Sequence, residues 1–587
     1  MKPTAWRELL LSAIFYGLLF VVFSWPLATC FSTGFLGPDG SDANQYVWNA
    51  YNFRAQLLAG SNPFYTSLLL FPQGSSLIMH TYTPIIGLVN VLLNQEILAV
   101  NVCLALSFVL SGVGAYRLCR RWVSNPVLCL LAGVVFAFSP YKLTHLPAHY
   151  HLLLTAPAPF YLYAFLEAFA FREGRLWPRV RRWSQVLICV VLGLITLLSD
   201  YYTLFGLLYF SAGYALYYGF RLGQINWRRP RPWLILAAVL VVSHIASRLL
   251  MLSGVPDNAG FWWGGDLAGY LLPPLNSRWL STPATEQLHQ SRIFNMPGSE
   301  ENVMFLGYCL PLVLLLLAFT RRRQPEQPSE AARQWQPLPW LLLLFFLLTL
   351  PEIKVFGKGI LRLPTGFLHY IPFFNNIRCP TRHVSYVALL LPLVSFALLD
   401  PWLRARVRPA LRWAVSGLLL AVVLVEFQPR PAPVLRESSI PLAYQQAANL
   451  LGDALFPVPF GLLDGYQHKG QMSPNELFYQ TRHHKKLPGA YISRIPQATF
   501  DAFDQDPVLH ALLVLQEHPD TTVAPATPQQ AAAFLRTYRP SAFIIAPRFR
   551  NTNVERYLHA LVQGQGYLEW SVDGYGLWPK EAMLPQR

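Results

Sequence analysis

Charged residues are scarce in this sequence. Asp, Glu, Lys and Arg make up 13% of its 587 residues, while hydrophobic residues reach 53%. A soluble chain carries about 25% charge, and this length would otherwise suggest about four soluble domains. Most of the chain is therefore expected to be solvated by lipid, and disorder is excluded. Cysteine is sparse as well: the seven (30, 103, 119, 129, 189, 309 and 379) form no CxxC pair. That excludes a disulfide-dense secreted scaffold and a zinc ribbon. Only Cys30 and Cys379 are expected on the outer face, where a disulfide is chemically open. There is no Walker loop, no Gly-rich dinucleotide fingerprint, no HExxH and no GxSxG, so soluble nucleotide-dependent chemistry has no support.

What the sequence does contain is long uncharged runs. A spanning helix needs about 20 apolar residues. Runs free of Asp, Glu, Lys and Arg are Leu9–Pro38, Ile97–Tyr116, Trp122–Tyr141, Leu143–Leu166, Trp183–Ser199, Tyr201–Phe220, Pro232–Ser247, Asn302–Thr320, Gln334–Pro351 and His383–Leu399, followed by a shorter Trp413–Val425. The expected fold is an α-helical polytopic membrane protein of about 11 transmembrane helices. Leu27-Ala28-Thr29-Cys30 is a poor lipoprotein cleavage site because Thr29 is too large, so the first helix is read as retained.

The net charge of +16 is distributed with the topology. Residues 428–587 hold 14 basic and 13 acidic side chains, so the excess belongs to residues 1–427. Lys2, Arg7 and the connections 117–121, 172–182, 221–231, 321–336 and 400–412 collect 22 of the 32 basic residues there. Basic connections stay inside, which places the N-terminus in the cytoplasm and makes the basicity topological. No nucleic-acid partner is implied. The expected domains are a membrane domain, 1–427, with long outer loops 30–95 and 253–302, and a soluble extracytoplasmic α/β domain, 428–587. Within 30–95, Tyr46, Ala50, Phe53 and Leu57 fall at helical spacing, which predicts an amphipathic interfacial helix over Asp42–Ala59. In the last 160 residues, Leu455–Leu463 and Ala542–Ala546 read as strands, Pro528–Tyr538 and Asn553–Gln563 as helices.

Polar groups at the ends of apolar spans are costly and are the default functional candidates. Asp39, Asp42, His80, Lys142, His145, His149, His151, Asp200, Asp257, Asp266, Arg378 and Arg382 all fall at or beyond the outer ends of the spans. Asp42 follows the first span within Pro38-Asp39-Gly40-Ser41-Asp42, where Ser41 or Asp42 could cap the next helix and Asp39-Gly40 could be a turn. His145 and His149, in Ser139-Pro140-Tyr141-Lys142-Leu143-Thr144-His145-Leu146-Pro147-Ala148-His149, could contact a phosphate or a sugar, or hold a divalent metal. Asp200 could orient a base or cap the sixth span. Arg378 and Arg382, in Arg378-Cys379-Pro380-Thr381-Arg382, suit a phosphate, since guanidinium groups match its geometry. The basic turn His483-His484-Lys485-Lys486 reads as a solvated loop.

A carboxylate just beyond the first span, followed by an aromatic helix, resembles the membrane glycosyltransferases of the GT-C superfamily, among them oligosaccharyltransferases, protein O-mannosyltransferases and aminoarabinose transferases. The Ser-Pro-Tyr…His…His and Arg-x-Pro-Thr-Arg segments resemble a bacterial branch of the same group. This resemblance implies an inverting hexosyl- or pentosyltransferase in a bacterial inner or plasma membrane. It would take a polyprenyl-phosphate sugar as donor and a glycan, lipid or protein as acceptor. Asp42 or Asp39 would be the base, and Arg378, Arg382, His145, His149, Lys142 and Asp200 would line the substrate. The acidic residues stand three apart here, where several relatives have them adjacent or next but one. A lipid or solute transporter and a non-catalytic envelope scaffold are the other readings. The nearly charge-free spans and the lack of an internal repeat weigh against transport.

Overall fold

The computed structural model of the chain describes residues 3–254, 259–320, 329–372 and 374–585. Asp257, Lys2 and part of the 321–336 connection lie outside the described residues. Six helices are long and apolar enough to cross a membrane: Trp6–Phe23, Glu96–Cys119, Pro126–His145, Pro230–Leu252, Pro380–Arg406 and Pro409–Phe427. The chain is a multi-pass membrane protein. Further helices fall in the other uncharged runs, among them Pro157–Ala168, Trp183–Leu197, Tyr201–Gly219, Cys309–Thr320 and Leu338–Leu348. One expected span is interrupted. The run Leu143–Leu166 is not one helix, because the chain leaves the helix at His145, makes a 3-10 turn at Tyr150–Leu153 and restarts at Pro157. Pro147 lacks an N–H and fixes its own φ, so it ends a helix that hydropathy alone would continue.

Two compact units form, and their boundary differs from the one expected at residue 427. Residues 1–25 and 104–432 make the first, residues 26–103 and 433–587 the second. The first outer loop thus belongs with the C-terminal segment. Strand Gly34–Leu36 pairs antiparallel with Val434–Arg436, in the register Gly34 with Arg436 and Leu36 with Val434. At Gly34 an added Cβ would stand 2.9 Å from the Leu435 carbonyl, so only glycine permits this pairing.

The helical unit is sorted by burial. Pro126–His145 and Pro380–Arg406 are its inner spans, 83% buried each, whereas Pro230–Leu252 and Pro409–Phe427 are 11% and 17% buried and present apolar side chains outward. Close approach is achieved with small residues. Tyr16 lies between Gly112 and Gly133, and its hydroxyl donates to the Leu130 carbonyl at 2.9 Å.

The second unit contains a four-stranded sheet in the order Trp570–Val572, Tyr575–Pro579, Pro540–Ile545, Ala454–Val458. Its two inner pairings, Tyr575–Pro579 with Pro540–Ile545 and Pro540–Ile545 with Ala454–Val458, are antiparallel and parallel respectively. Strand Pro540–Ile545 is wholly buried, as a continuous apolar run with covered faces should be. A smaller sheet sets Gly461–Leu463 between His468–Gly470 and Ala490–Tyr491.

Helix Ala43–Leu58 is not an interfacial helix. Ten of its residues are buried, including Asn44, Gln45, Asn49 and Asn52. Its polar face is met by protein: Asn49 donates to the Thr81 carbonyl at 2.9 Å, and Trp48 donates to Gln480 at 2.5 Å. Period alone marks an apolar stripe, but it cannot reveal that the rest of the helix is covered by residues 32 and 432 positions away.

Overpacking a well-filled interface costs about 1–3 kcal/mol. Gly133→Ala should therefore lower the thermal unfolding midpoint of the detergent-solubilised protein. Gly417→Ala, where nothing lies within 4 Å of the new Cβ, should leave it unchanged. Equal midpoints for the two variants would contradict this packing.

Candidate functional site

In the second unit, the loop Pro38–Asp42 is held in shape by one amide. Asn475 accepts from the Gly40 N–H at 2.9 Å and from Asn44 Nδ2 at 3.1 Å, and donates to Asp39 Oδ1 at 2.8 Å. Gly40 sits at φ +70, where a side chain would be strained. Asp39 is exposed and Asp42 half-buried. Asp42 stands immediately before helix Ala43–Leu58, yet its carboxylate makes no cap hydrogen bond. Oδ1 instead accepts from the Tyr491 hydroxyl. The capping alternative left open by the sequence is therefore not the one taken.

Around this loop the other polar groups are structural. The Ser493 N–H donates to His80 Nδ1 at 3.1 Å, so Nε2 bears the proton and donates to Asn49 Oδ1 at 3.2 Å. Burial pushes His80 down to about 3, which keeps it neutral. The basic turn is not a solvated loop: Lys485 is buried, donating to the carbonyls of Leu450 and Gly452 at 2.5 and 2.7 Å. Next to Asn475, Glu476 is buried, and Tyr444 donates to it at 2.5 Å. Burial pushes its carboxyl up to about 8, partly offset by the Tyr444 hydrogen bond.

In the helical unit, a second polar cluster forms where the two inner spans meet outer segments. His145 ends one span, and its Nδ1 donates to the Tyr141 carbonyl at 2.8 Å. Arg382 lies in the 3-10 turn Pro380–His383 that leads into helix Val384–Arg406. Between them stands Glu301, 5% exposed, from the turn Glu300–Asn302 that precedes helix Cys309–Thr320. Arg382 Nε donates to Glu301 Oε1 and Oε2 at 3.0 and 3.1 Å, and Nη2 also engages Oε1. His145 Nε2 lies 3.7 Å from Glu301 Oε2, and His149 Nδ1 lies 3.4 Å from Glu300 Oε1. His151 Nε2 is 3.5 Å from Arg382 Nη1. The guanidinium also stacks 4.7 Å over the Tyr202 ring.

Electrostatics follow from this arrangement. Burial alone would raise the Glu301 carboxyl, but Arg382 and His145 outweigh it and hold Glu301 well below the usual carboxylate range. Burial, aided by the Arg382 charge, lowers His149 to about 4 and lowers His151 as well. Both imidazoles are therefore neutral hydrogen-bonding groups near pH 7.

The remaining residues expected at the site fall as follows. Lys142 is fully buried, donates to Thr155 Oγ1 at 2.7 Å and lies 4.9 and 5.2 Å from the rings of Phe108 and Phe136. Asp200 takes the capping alternative: it accepts from Thr203 N at 2.6 Å and Thr203 Oγ1 at 2.7 Å, at the head of helix Tyr201–Gly219. Burial raises its carboxyl despite those bonds. Arg378 is partly exposed, 5.8 Å over Trp263. Asp266 accepts from the N–H groups of Ala268, Phe356 and Gly357 and organises a loop. All seven cysteines are free thiols, Cys30 and Cys379 included. Among the described residues no group of three or more His, Cys, Asp or Glu side chains is arranged to hold a metal ion.

Sequence reasoning missed Glu301, Asn475 and Tyr491. Glu301 did leave a signal, because Glu300-Glu301 is the one adjacent acidic pair in residues 1–427.

A family model described as a domain of unknown function, DUF6311, matches residues 11–427. No curated protein matches the chain by sequence. Solved structures similar to it include the archaeal oligosaccharyltransferase AglB from Archaeoglobus fulgidus in complex with an inhibitory peptide and a dolichol-phosphate. That match has 12% identity, covers 100% of this chain and 75% of that one, and has a TM-score of 0.40. The arabinofuranosyltransferase AftD from Mycobacteria is similar at 16% identity over 98% of this chain and 41% of that one, with a TM-score of 0.44. ArnT from Cupriavidus metallidurans is similar at 13% identity over 100% of both chains, with a TM-score of 0.34. Oligosaccharyltransferases are among the GT-C enzymes that the sequence resembles. At TM-scores below 0.5, these likenesses assign no residue a role.

Glu476 makes the second unit pH-sensitive. Its folded value of about 8 lies above the ordinary 4.5, so the folded state keeps a proton that the unfolded chain has lost. The contribution of Glu476 to stability should fall as pH rises from about 4.5 to about 8 and then level off. Glu476→Gln should remove that slope, read as hydrogen-exchange protection of helix Asn475–His483 across pH 5 to 8. A slope of the same size in the variant would exclude Glu476 as its source.

Proposed function

The chain belongs to the DUF6311 family, and we propose that it is a membrane glycosyltransferase. It moves a sugar from a polyprenyl-phosphate donor to an acceptor on the outer face of the membrane, with inversion. Asp42 supports this reading most directly. A carboxylate placed before a helix ordinarily caps it, because the first N–H groups lack partners. Here it does not, and the carboxylate is half-exposed with one oxygen fixed by the Tyr491 hydroxyl. A general base needs an accessible carboxylate held in one rotamer. Asp42 has that form, whereas Asp39 is engaged by Asn475.

In this reading Asp42 takes the proton from the acceptor's nucleophilic group as the sugar leaves its lipid phosphate. A departing phosphate gains charge, and the guanidinium groups of Arg382 and Arg378 are of the type that suits it. His145 and the neutral His149 stand beside this cluster as groups that can contact sugar or phosphate oxygens. Lys142 and Asp200 support the fold around that cluster through Thr155 and Thr203. A divalent ion is not needed for proton removal by a carboxylate, and the acceptor is a glycan, a lipid or a protein.

Loss of general-base help costs about 10²–10⁴ in rate. With a panel of radiolabelled polyprenyl-phosphate sugars, Asp42→Asn should lose sugar transfer by that factor while its unfolding midpoint is unchanged. Tyr491→Phe, which leaves the base in place but frees its rotamer, should lose about ten-fold or less. Full turnover by Asp42→Asn would overturn the assignment.

A further inference from the structure

Arg382 already holds an anion. Its fork is filled by the two oxygens of Glu301, the geometry in which a guanidinium also takes two phosphate oxygens. Glu301 is carried on irregular chain: a 3-10 turn of three residues, whose Glu301 N–H donates to Ser299 Oγ at 3.3 Å, follows Gly298 at φ +74. His145 is fully buried, and its Nδ1 is committed to the Tyr141 carbonyl. Its Nε2 has no hydrogen-bond partner and faces Glu301 Oε2 at 3.7 Å. A buried guanidinium without a counter-charge is strongly unfavourable, so an empty phosphate site on Arg382 needs a substitute anion.

We propose that Glu301 is a resident competitor at an anion site on Arg382. It holds the guanidinium while the site is empty, and a phosphate ester takes over the same N–H groups as the carboxylate withdraws with its turn. The proposal rests on the reading of Arg382 as the donor-phosphate contact and adds to it the residue that sets the threshold for binding. No bond is made or broken in the exchange. One charge-assisted pair replaces another, and the ligand pays for displacing the first. Glu301 acts through Arg382 and is a positioning residue, with a sign opposite to that of a simple support: removing its charge strengthens binding.

The test is binding of a short-chain prenyl phosphate to the full chain in nanodiscs, with the matching prenyl alcohol and inorganic phosphate as parallel arms. Charged hydrogen bonds contribute enough that removing the competitor should tighten prenyl phosphate about ten-fold in Glu301→Gln. The alcohol should be unaffected, and adding Arg382→Gln should abolish the gain. Equal tightening for inorganic phosphate would make the free ion, and not the lipid, the source of the phosphate. Unchanged or weaker binding by a folded Glu301→Gln, alongside weaker binding by Arg382→Gln, would overturn the competitor role alone. Equal binding by all variants would overturn the phosphate role of Arg382 too. If Glu301→Gln does not fold, Glu301→Asp, one methylene shorter, should still tighten binding about three-fold, and no gain there would refute the proposal.

Discussion

A guanidinium at the head of a buried helix is poorly placed twice over. It leaves water, and it meets the positive end of the helix dipole. Arg382 occupies such a position before helix Val384–Arg406, whose span is one of the two most enclosed in the helical unit. Glu301 is what makes that position tenable, and several other features follow from it. The outer loop that carries Glu301 must be ordered up to Asn302. His145 must end its helix where its ring can face the same carboxylate. His149 and His151 are kept neutral by burial beside the same positive charge. The early end of the helix at His145, forced by Pro147, is thus part of the cluster's construction.

The chain contains a contrasting solution for a buried cation. Lys142 is more deeply enclosed than Arg382 but, among the described residues, forms no ion pair. Its ammonium is met by the Thr155 hydroxyl and two aromatic faces. An ammonium is a compact charge that a hydroxyl and ring quadrupoles can solvate in part. A guanidinium has five donors in a rigid plane and needs a partner with two acceptors. The same difference explains why Arg382 is met by both oxygens of one carboxylate, whereas Lys142 is met by a hydroxyl and two rings.

Much of the fold was legible because lipid imposes a simple rule on sequence. Charge-free runs marked where helices fall. Hydropathy could not show interruption, as at Pro147, since an irregular stretch that is buried in protein stays as apolar as a span. The site was legible by residue type and not by partnership. Asp42, Arg382 and the histidines stood out as polar groups at span ends. Glu301 meets Arg382 across 81 positions, and Tyr491 meets Asp42 across 449. No local pattern encodes such pairs.

The second unit shows why composition misjudged one element. Helix Ala43–Leu58 has the amphipathic period of a surface helix, but its polar face carries Asn and Gln where an exposed face usually carries Lys and Glu. Amides can be buried if each finds a partner, whereas ionised groups need a counter-charge. A face of uncharged amides therefore suits contact with folded backbone and other amides, and Asn49, Trp48 and Asn44 find such contacts at Thr81, Gln480 and Asn475. The consequence reaches Asp42. Since Asn475 fixes the loop before the helix by binding Gly40, Asn44 and Asp39, the turn needs no cap from the Asp42 carboxylate. One oxygen of that carboxylate accepts instead from the Tyr491 hydroxyl.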